Sequence, residues 1–251
     1  MNFASKSVLV LSTLMAATAA MAQAKAPEPD YTLAYNVGAV SEYRYRGIAQ
    51  SKLQPALQGG VDFAHKNGFY LGAWGSSIKW IKEAGASDGT VELDIYAGYK
   101  GELVKDVAYD VGYLRYEYVG NKLGNVSGFA NPNTDELYGA LTFGPVTAKY
   151  SHSVSNLFGT PDSKGSGYLD VTATFDLGDG WSVAPHVGRQ SVKNLSSASY
   201  TDYSLTLGKD LGNGLSVSAA LLGTDASTSV YTVNGKYLGK DAVVVGAKYS
   251  F

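Results

Sequence analysis

The sequence has no cysteine, three histidines and only 17% charged residues. The first absence excludes a disulfide framework, and three scattered histidines give none of the ligand spacings of a metal site. Beyond residue 22 there is no run of 18 or more apolar residues, although 45% of the chain is apolar. A bundle of membrane-spanning helices is thereby excluded. The formal net charge of −2 offers no basic surface, so a nucleic-acid partner is not expected, and no motif asks for a cofactor.

What the chain has in quantity is glycine and tyrosine, 30 and 19 residues, set in segments that alternate with period two from Tyr31 onward. In residues 91–100, Val91, Leu93, Ile95, Ala97 and Tyr99 fall on one face, opposite Glu92, Asp94, Tyr96, Gly98 and Lys100. Residues 31–46 repeat the pattern, with Tyr31, Leu33, Tyr35, Val37, Tyr43 and Tyr45 opposite Thr32, Asn36, Glu42, Arg44 and Arg46. Twelve such segments are legible: 31–46, 56–66, 69–80, 90–101, 105–118, 134–144, 146–155, 167–177, 181–192, 200–211, 214–224 and 241–251. A tilted strand crosses a bilayer in roughly 9–11 residues, and most of these segments are long enough.

The connections alternate in length. Asn67-Gly68, residues 101–106, Gly144-Pro145, 178–180 and 212–214 are tight, whereas 47–55, 81–89, 119–133, 156–166, 193–199 and 225–240 are longer and polar. A soluble β-sandwich has no reason to sort its loops by parity; an outer-membrane barrel has. The expected fold is all-β: a closed antiparallel transmembrane β-barrel of about twelve strands, with short periplasmic turns and longer extracellular loops. Tyr35, Tyr43, Tyr45, Trp74, Trp80, Tyr99, Tyr109, Tyr150, Trp181, Tyr203 and Tyr249 are expected to form its interfacial girdle.

Both ends agree with export to an outer membrane. Lys6, an apolar run from Val8 to Ala20 and Ala20-Met21-Ala22 form a secretory signal. Residues 1–22 are therefore expected to be removed, leaving 23–30 as a periplasmic segment and 31–251 as the barrel. Gly246, Tyr249 and the terminal Phe251 resemble the signal read by the barrel assembly machinery, with outer-membrane lipid and lipopolysaccharide as the other partners. Asp176-Leu177-Gly178-Asp179-Gly180 is echoed by Asp210-Leu211-Gly212-Asn213-Gly214, which is turn chemistry rather than a phosphate loop.

Four stretches carry a family resemblance: Ser41-Glu42-Tyr43-Arg44-Tyr45-Arg46-Gly47-Ile48-Ala49-Gln50-Ser51, Pro55-Ala56-Leu57-Gln58-Gly59-Gly60, Gly68-Phe69-Tyr70-Leu71-Gly72-Ala73-Trp74-Gly75-Ser76, and residues 92–101. In these the chain resembles the TorF family of proteobacterial outer-membrane barrels. The resemblance implies a barrel named as a porin, with no catalytic residue or ligand to carry over.

In a barrel the inward face decides what passes. By parity, nine acidic and six basic residues point inward, an excess that favours cations mildly. The strongest cluster is Glu42, Arg44 and Arg46 on the first strand with Asp62, Glu92 and Asp94, the candidates for a constriction. The expected function is passive diffusion of small hydrophilic solutes. The bland alternative is a barrel filled by mutually paired charges, serving an envelope or adhesin-like role through loops 119–133 and 225–240, the latter with a hairpin at Tyr231–Tyr237. A lipid hydrolase would need a nucleophile beside His65, His152 or His186, and Ser151-His152-Ser153 alternates faces, so no catalytic residue is assigned. Asp162 and Asp225 are the loop acids closest to a calcium reading, and single loop acids are ordinarily solvated.

Overall fold

A computed structural model describes residues 29–251; the signal peptide expected at 1–22 and nearly all of the segment 23–30 lie outside them. Twelve strands span the structure: β1 (Tyr31–Val40), β2 (Ala56–His65), β3 (Phe69–Ser77), β4 (Val91–Val104), β5 (Val107–Tyr118), β6 (Thr134–Phe143), β7 (Val146–Ser153), β8 (Gly167–Ala173, resuming at Phe175–Gly178), β9 (Trp181–Ser191), β10 (Tyr200–Gly212), β11 (Leu215–Thr224) and β12 (Ala242–Ser250). Each pairs antiparallel with its chain neighbour. β1 closes on β12 in the register Asn36↔Ser250 to Val40↔Gly246. Closure removes both edges, so no unpaired ladder is left to meet lipid.

The seam is finished by the terminal residue. Tyr35 and Phe251 exchange backbone hydrogen bonds at 2.9 and 3.0 Å, and their rings stack 5.7 Å apart. Tyr249 also stacks on Phe251, at 5.8 Å, and Gly246 sits opposite Val40 in the ladder.

At one end the turns hold only two or three residues. The echoed pair of turns has the same build: Gly178 N donates to Asp176 Oδ1 and Gly212 N to Asp210 Oδ1, each at 2.8 Å. Asp179 and Asn213 then take φ of +50° and +51° between glycines of positive φ, so the reading as turn chemistry holds. The expected turn 101–106 is shorter than read, because β4 runs to Val104 and only Lys105 and Asp106 lie outside the ladder.

The pleat sorts side chains as the alternation requires. Leu33, Ile95, Leu141, Leu169, Leu221 and Val243 face outward, between 44% and 63% exposed, which is tolerable only if lipid covers them. Inward tyrosines lie flat over glycines of the adjoining strand, as Tyr138 does over Gly112, whose added Cβ would stand 2.5 Å from the Tyr138 hydroxyl. Of the expected girdle, Tyr35, Tyr99, Tyr150, Trp181, Tyr203 and Tyr249 are exposed on the outside. Tyr43, Tyr45, Trp74 and Trp80 instead pack in an internal cluster: Trp74 shares the inward parity of Tyr70, and the others belong to segments that leave the wall.

Packed side chains concentrate at the long-loop end, in three small clusters. The hairpin expected near Tyr231–Tyr237 forms, with Thr232–Val233 paired to Lys236–Tyr237, but it lies against other loops rather than standing clear. Asn234 Nδ2 donates to Glu83 Oε2 at 2.7 Å, and the Tyr231 hydroxyl donates to Ala198 O at 2.6 Å. Glu83 also pairs with Lys52. Hydrogen bonds from Lys52 and Asn234 hold the Glu83 carboxyl below the ordinary glutamate range.

Candidate functional site

β1 ends at Val40, six residues before the end of the segment read from the sequence. Glu42, Arg44 and Arg46 are therefore not on the first strand. Ser41 N donates to Val245 O at 2.8 Å as the last tie to the wall, and the chain then turns inward. Arg44–Tyr45 pair with Ile48–Ala49 in a small hairpin of their own. Its turn is Arg46-Gly47, with φ of +48° and +76°. The alternation of Glu42 to Arg46 is genuine strand pattern, but its partner is itself; Gly47 was the available signal of the reversal.

This segment, residues 41–55, is an inward latch. The Tyr43 hydroxyl donates to Glu92 Oε1 on β4 at 2.7 Å, and its ring meets Trp74 of β3 edge-on at 5.5 Å. The Tyr45 and Tyr116 hydroxyls share a hydrogen bond. Arg46 Nη2 donates to both oxygens of Glu136 on β6, at 2.8 and 3.0 Å, while its Nη1 donates to Gln190 of β9 at 2.8 Å. The Arg46 guanidinium also lies 4.3 Å from the ring centroid of Tyr168 on β8. Gly47 backs onto Asp202 of β10 so closely that a Cβ would stand 2.8 Å from the Asp202 Cβ. A segment that touches walls on all sides of a closed barrel lies inside it.

The expected cluster is only partly assembled. Glu42 and Arg44 form an ion pair, and Arg44 Nη1 donates to Gly47 O and Leu238 O at 2.9 and 2.7 Å. Arg46 goes to Glu136, not to Asp62, Glu92 or Asp94. Asp62 accepts from Tyr96, Glu92 from Tyr43, and Asp94 Oδ1 has no partner. None of these three carboxylates is ion-paired among the described residues. Glu136, Gln190, Tyr116 and Tyr168 were not singled out as site residues. Only parity marks them as inward; nothing in one sequence tells which inward acid an arginine on a folded-in loop will reach.

The latch divides the interior into two chambers. The inner one, about 310 Å³, has a mixed lining in which Arg44, Arg46, Lys149, Asp170, His186 and Asp202 stand beside tyrosines. The outer one, about 350 Å³, is mostly apolar, with Trp80, Tyr118, Phe129, Leu157, Tyr200 and Tyr231 in its walls. Tyr45 and Arg46 line both, and so form the septum. Further from the latch, Tyr70 donates to Asp110 at 2.5 Å and shares a hydrogen bond with Tyr138, over whose ring the Lys149 ammonium sits at 4.0 Å.

The hydrolase candidates are not brought together. Ser151 and Ser153 are buried while His152 is exposed, its ring 6.4 Å from that of Tyr150. His65 Nδ1 accepts from Asn67 N at 3.2 Å in a tight turn, and His186 Nε2 meets Asp170 Oδ2 at 2.9 Å. Among the described residues no serine hydroxyl bonds a histidine, and no group of three or more His, Cys, Asp or Glu side chains gathers as a metal would need. Asp225 Oδ1 instead accepts from Thr201 N at 2.5 Å, and Asp162 contributes its backbone oxygen to Asn194.

A closed twelve-stranded antiparallel barrel with a hydrophilic interior and an apolar outer wall is the architecture of outer-membrane porins. The chain belongs to the Gcw_chp family, described as bacterial protein of unknown function, whose model matches residues 23–251. The KdgM porin, solved in complex with disordered oligogalacturonate, superposes with a TM-score of 0.55 at 9% identity over 87% of this chain and 98% of that one. The NanC porin gives 0.54 at 12% identity over 88% and 99%, and an outer-membrane channel from Pseudomonas putida F1 gives 0.50 at 13% over 89% and 96%. At these identities the likeness is one of fold. No curated protein matches the sequence.

Proposed function

We propose that the protein is a porin-like channel of the outer membrane through which small hydrophilic solutes diffuse passively, with its constriction at the Tyr45–Arg46 septum. The observation that carries this reading is the inner chamber: a barrel that only needed to be filled would have no use for about 310 Å³ of space lined in part by charged groups. The porin fold of its structural neighbours supports it. A mild cation preference follows from the acidic excess of the lumen, where Asp62, Glu92, Asp94 and Asp110 on one side and Lys100 and Lys149 on the other lack an ion-pair partner among the described residues.

The resemblance to the TorF family, the export signal at residues 1–22 and the recognition of Gly246, Tyr249 and Phe251 by the assembly machinery belong to the same reading. So does contact with lipopolysaccharide, for which Arg189 stands exposed near the long-loop end of β9. The test is conductance of the purified protein in a planar bilayer, with ion selectivity from the reversal potential.

One observation favours a sealed barrel with a structural role instead. The Arg46 and Glu136 side chains are only 4% and 1% exposed, and such a pair resists separation because each partner left alone would be a buried charge. A silent bilayer with correctly folded protein would decide for that reading.

A further inference from the structure

The inner chamber carries charges of both signs, and their tally selects a ligand. Arg44, Arg46 and Lys149 contribute positive charge to its lining and Asp170 and Asp202 negative, with His186 between the two aspartates, 2.9 Å from Asp170 and 3.8 Å from Asp202. Glu42 and Glu136 neutralise the two arginines, so Lys149 is the cation without an ion-pair partner among the described residues. Hydrogen-bonding capacity is likewise unspent on the acidic side. Asp202 accepts only from the Tyr168 hydroxyl, at 3.0 and 3.1 Å, and Asp170 from Thr172 and His186, leaving lone pairs on each.

A ligand bringing only negative charge would satisfy Lys149 but press against Asp202 and against Asp170, the residue directly across the β7–β8 ladder from Lys149. A ligand bringing only positive charge would leave Lys149 unmet. A zwitterion meets both signs of charge and adds no net charge to the chamber. The volume accommodates a molecule the size of a free α-amino acid with its waters.

We infer that the inner chamber is a binding subsite for small zwitterions of the α-amino-acid class, with the ligand carboxylate held by Lys149 and the ammonium by Asp170 and Asp202. This rests on the channel reading for what the site is for, since it names the solute class the lumen would favour. It does not rest on conduction for its detection.

The experiment is isothermal titration calorimetry of the full barrel, folded in detergent, with L-alanine and its two one-charge analogues, propionate and ethylamine. Saturable binding of L-alanine is expected, with each analogue roughly tenfold weaker or more, the loss of one charge-assisted contact. Lys149→Gln, which breaks no ion pair, is expected to weaken L-alanine by about tenfold while the protein keeps its folded migration on an unheated gel. The inference is overturned if L-alanine gives no binding heat, if propionate or ethylamine binds as well, or if Lys149→Gln leaves the affinity unchanged. Binding by a barrel that is silent in bilayers would uphold the subsite and remove the channel; conduction without binding would do the reverse.

Discussion

Arg46 holds both carboxylate oxygens of Glu136, at 2.8 and 3.0 Å, from a loop that has left the barrel wall to reach them. The pair ties the tip of the latch to β6, and both side chains are almost wholly buried. Removing one partner leaves the other as an uncompensated charge, which costs far more than removing both.

Arg46→Met is therefore expected to lower stability by about 3–5 kcal/mol, and Glu136→Gln by a comparable amount. The double variant should lose clearly less than the sum of the two. Urea unfolding in detergent measures all three. Additive losses would mean that the pair is not coupled as described.

The tyrosine–glycine contacts of the lumen wall make a second prediction. At Gly112 a Cβ would stand 2.5 Å from the Tyr138 hydroxyl and 2.7 Å from Ala97 O. Gly112→Ala should cost about 1–3 kcal/mol through overpacking. Pairing it with Tyr138→Phe should recover part of the loss, read from the same unfolding transitions.

Glu83 predicts a pH effect confined to the outer loops. Its carboxyl is held below the ordinary glutamate range by Lys52 and Asn234, so the contacts it makes are fully present above that range and are lost as the pH falls through the depressed value. Amide protection factors at Asn234 and Gly235, taken against the intrinsic exchange rate at each pH, should fall in acid, and Glu83→Gln should remove that pH dependence. The twelve strands should keep their protection throughout.

The terminal residue separates recognition from stability. Phe251→Ala keeps the backbone bonds to Tyr35 and forfeits the two ring contacts, a loss of about 0.5–1.5 kcal/mol each. Refolded protein should lose no more than those two contacts and stay folded, whereas the amount reaching the outer membrane in cells should fall severalfold. Equal falls in both would assign Phe251 a purely structural part.

The wall of this barrel is written locally, which is why it is legible. Alternation at Val91–Tyr99 and tight turns such as Asn67-Gly68 depend only on neighbours along the chain, and the period of two leaves each strand a single choice of face. Closure followed from an even strand count and the lack of anything to cover an edge. The latch was not legible. Glu42 to Arg46 alternate as the wall does, and only the turn at Arg46-Gly47, with the barrel already closed around it, sends them inward. The partners of Arg46 lie 90 and 144 residues away in sequence, set by the geometry of a cylinder rather than by any spacing. The cluster expected with Asp62, Glu92 and Asp94 is only partly assembled for that reason: Tyr43 of the latch reaches Glu92, whereas Arg46 goes to Glu136.

The most direct test of the channel account is single-channel conductance of the parent and of a variant whose latch residues 42–50 are replaced by a Gly-Ser linker. The account predicts a small, cation-preferring conductance in the parent and a several-fold larger one once the Tyr45–Arg46 septum is gone. A parent and a latch-less barrel that are both folded and both silent would contradict it.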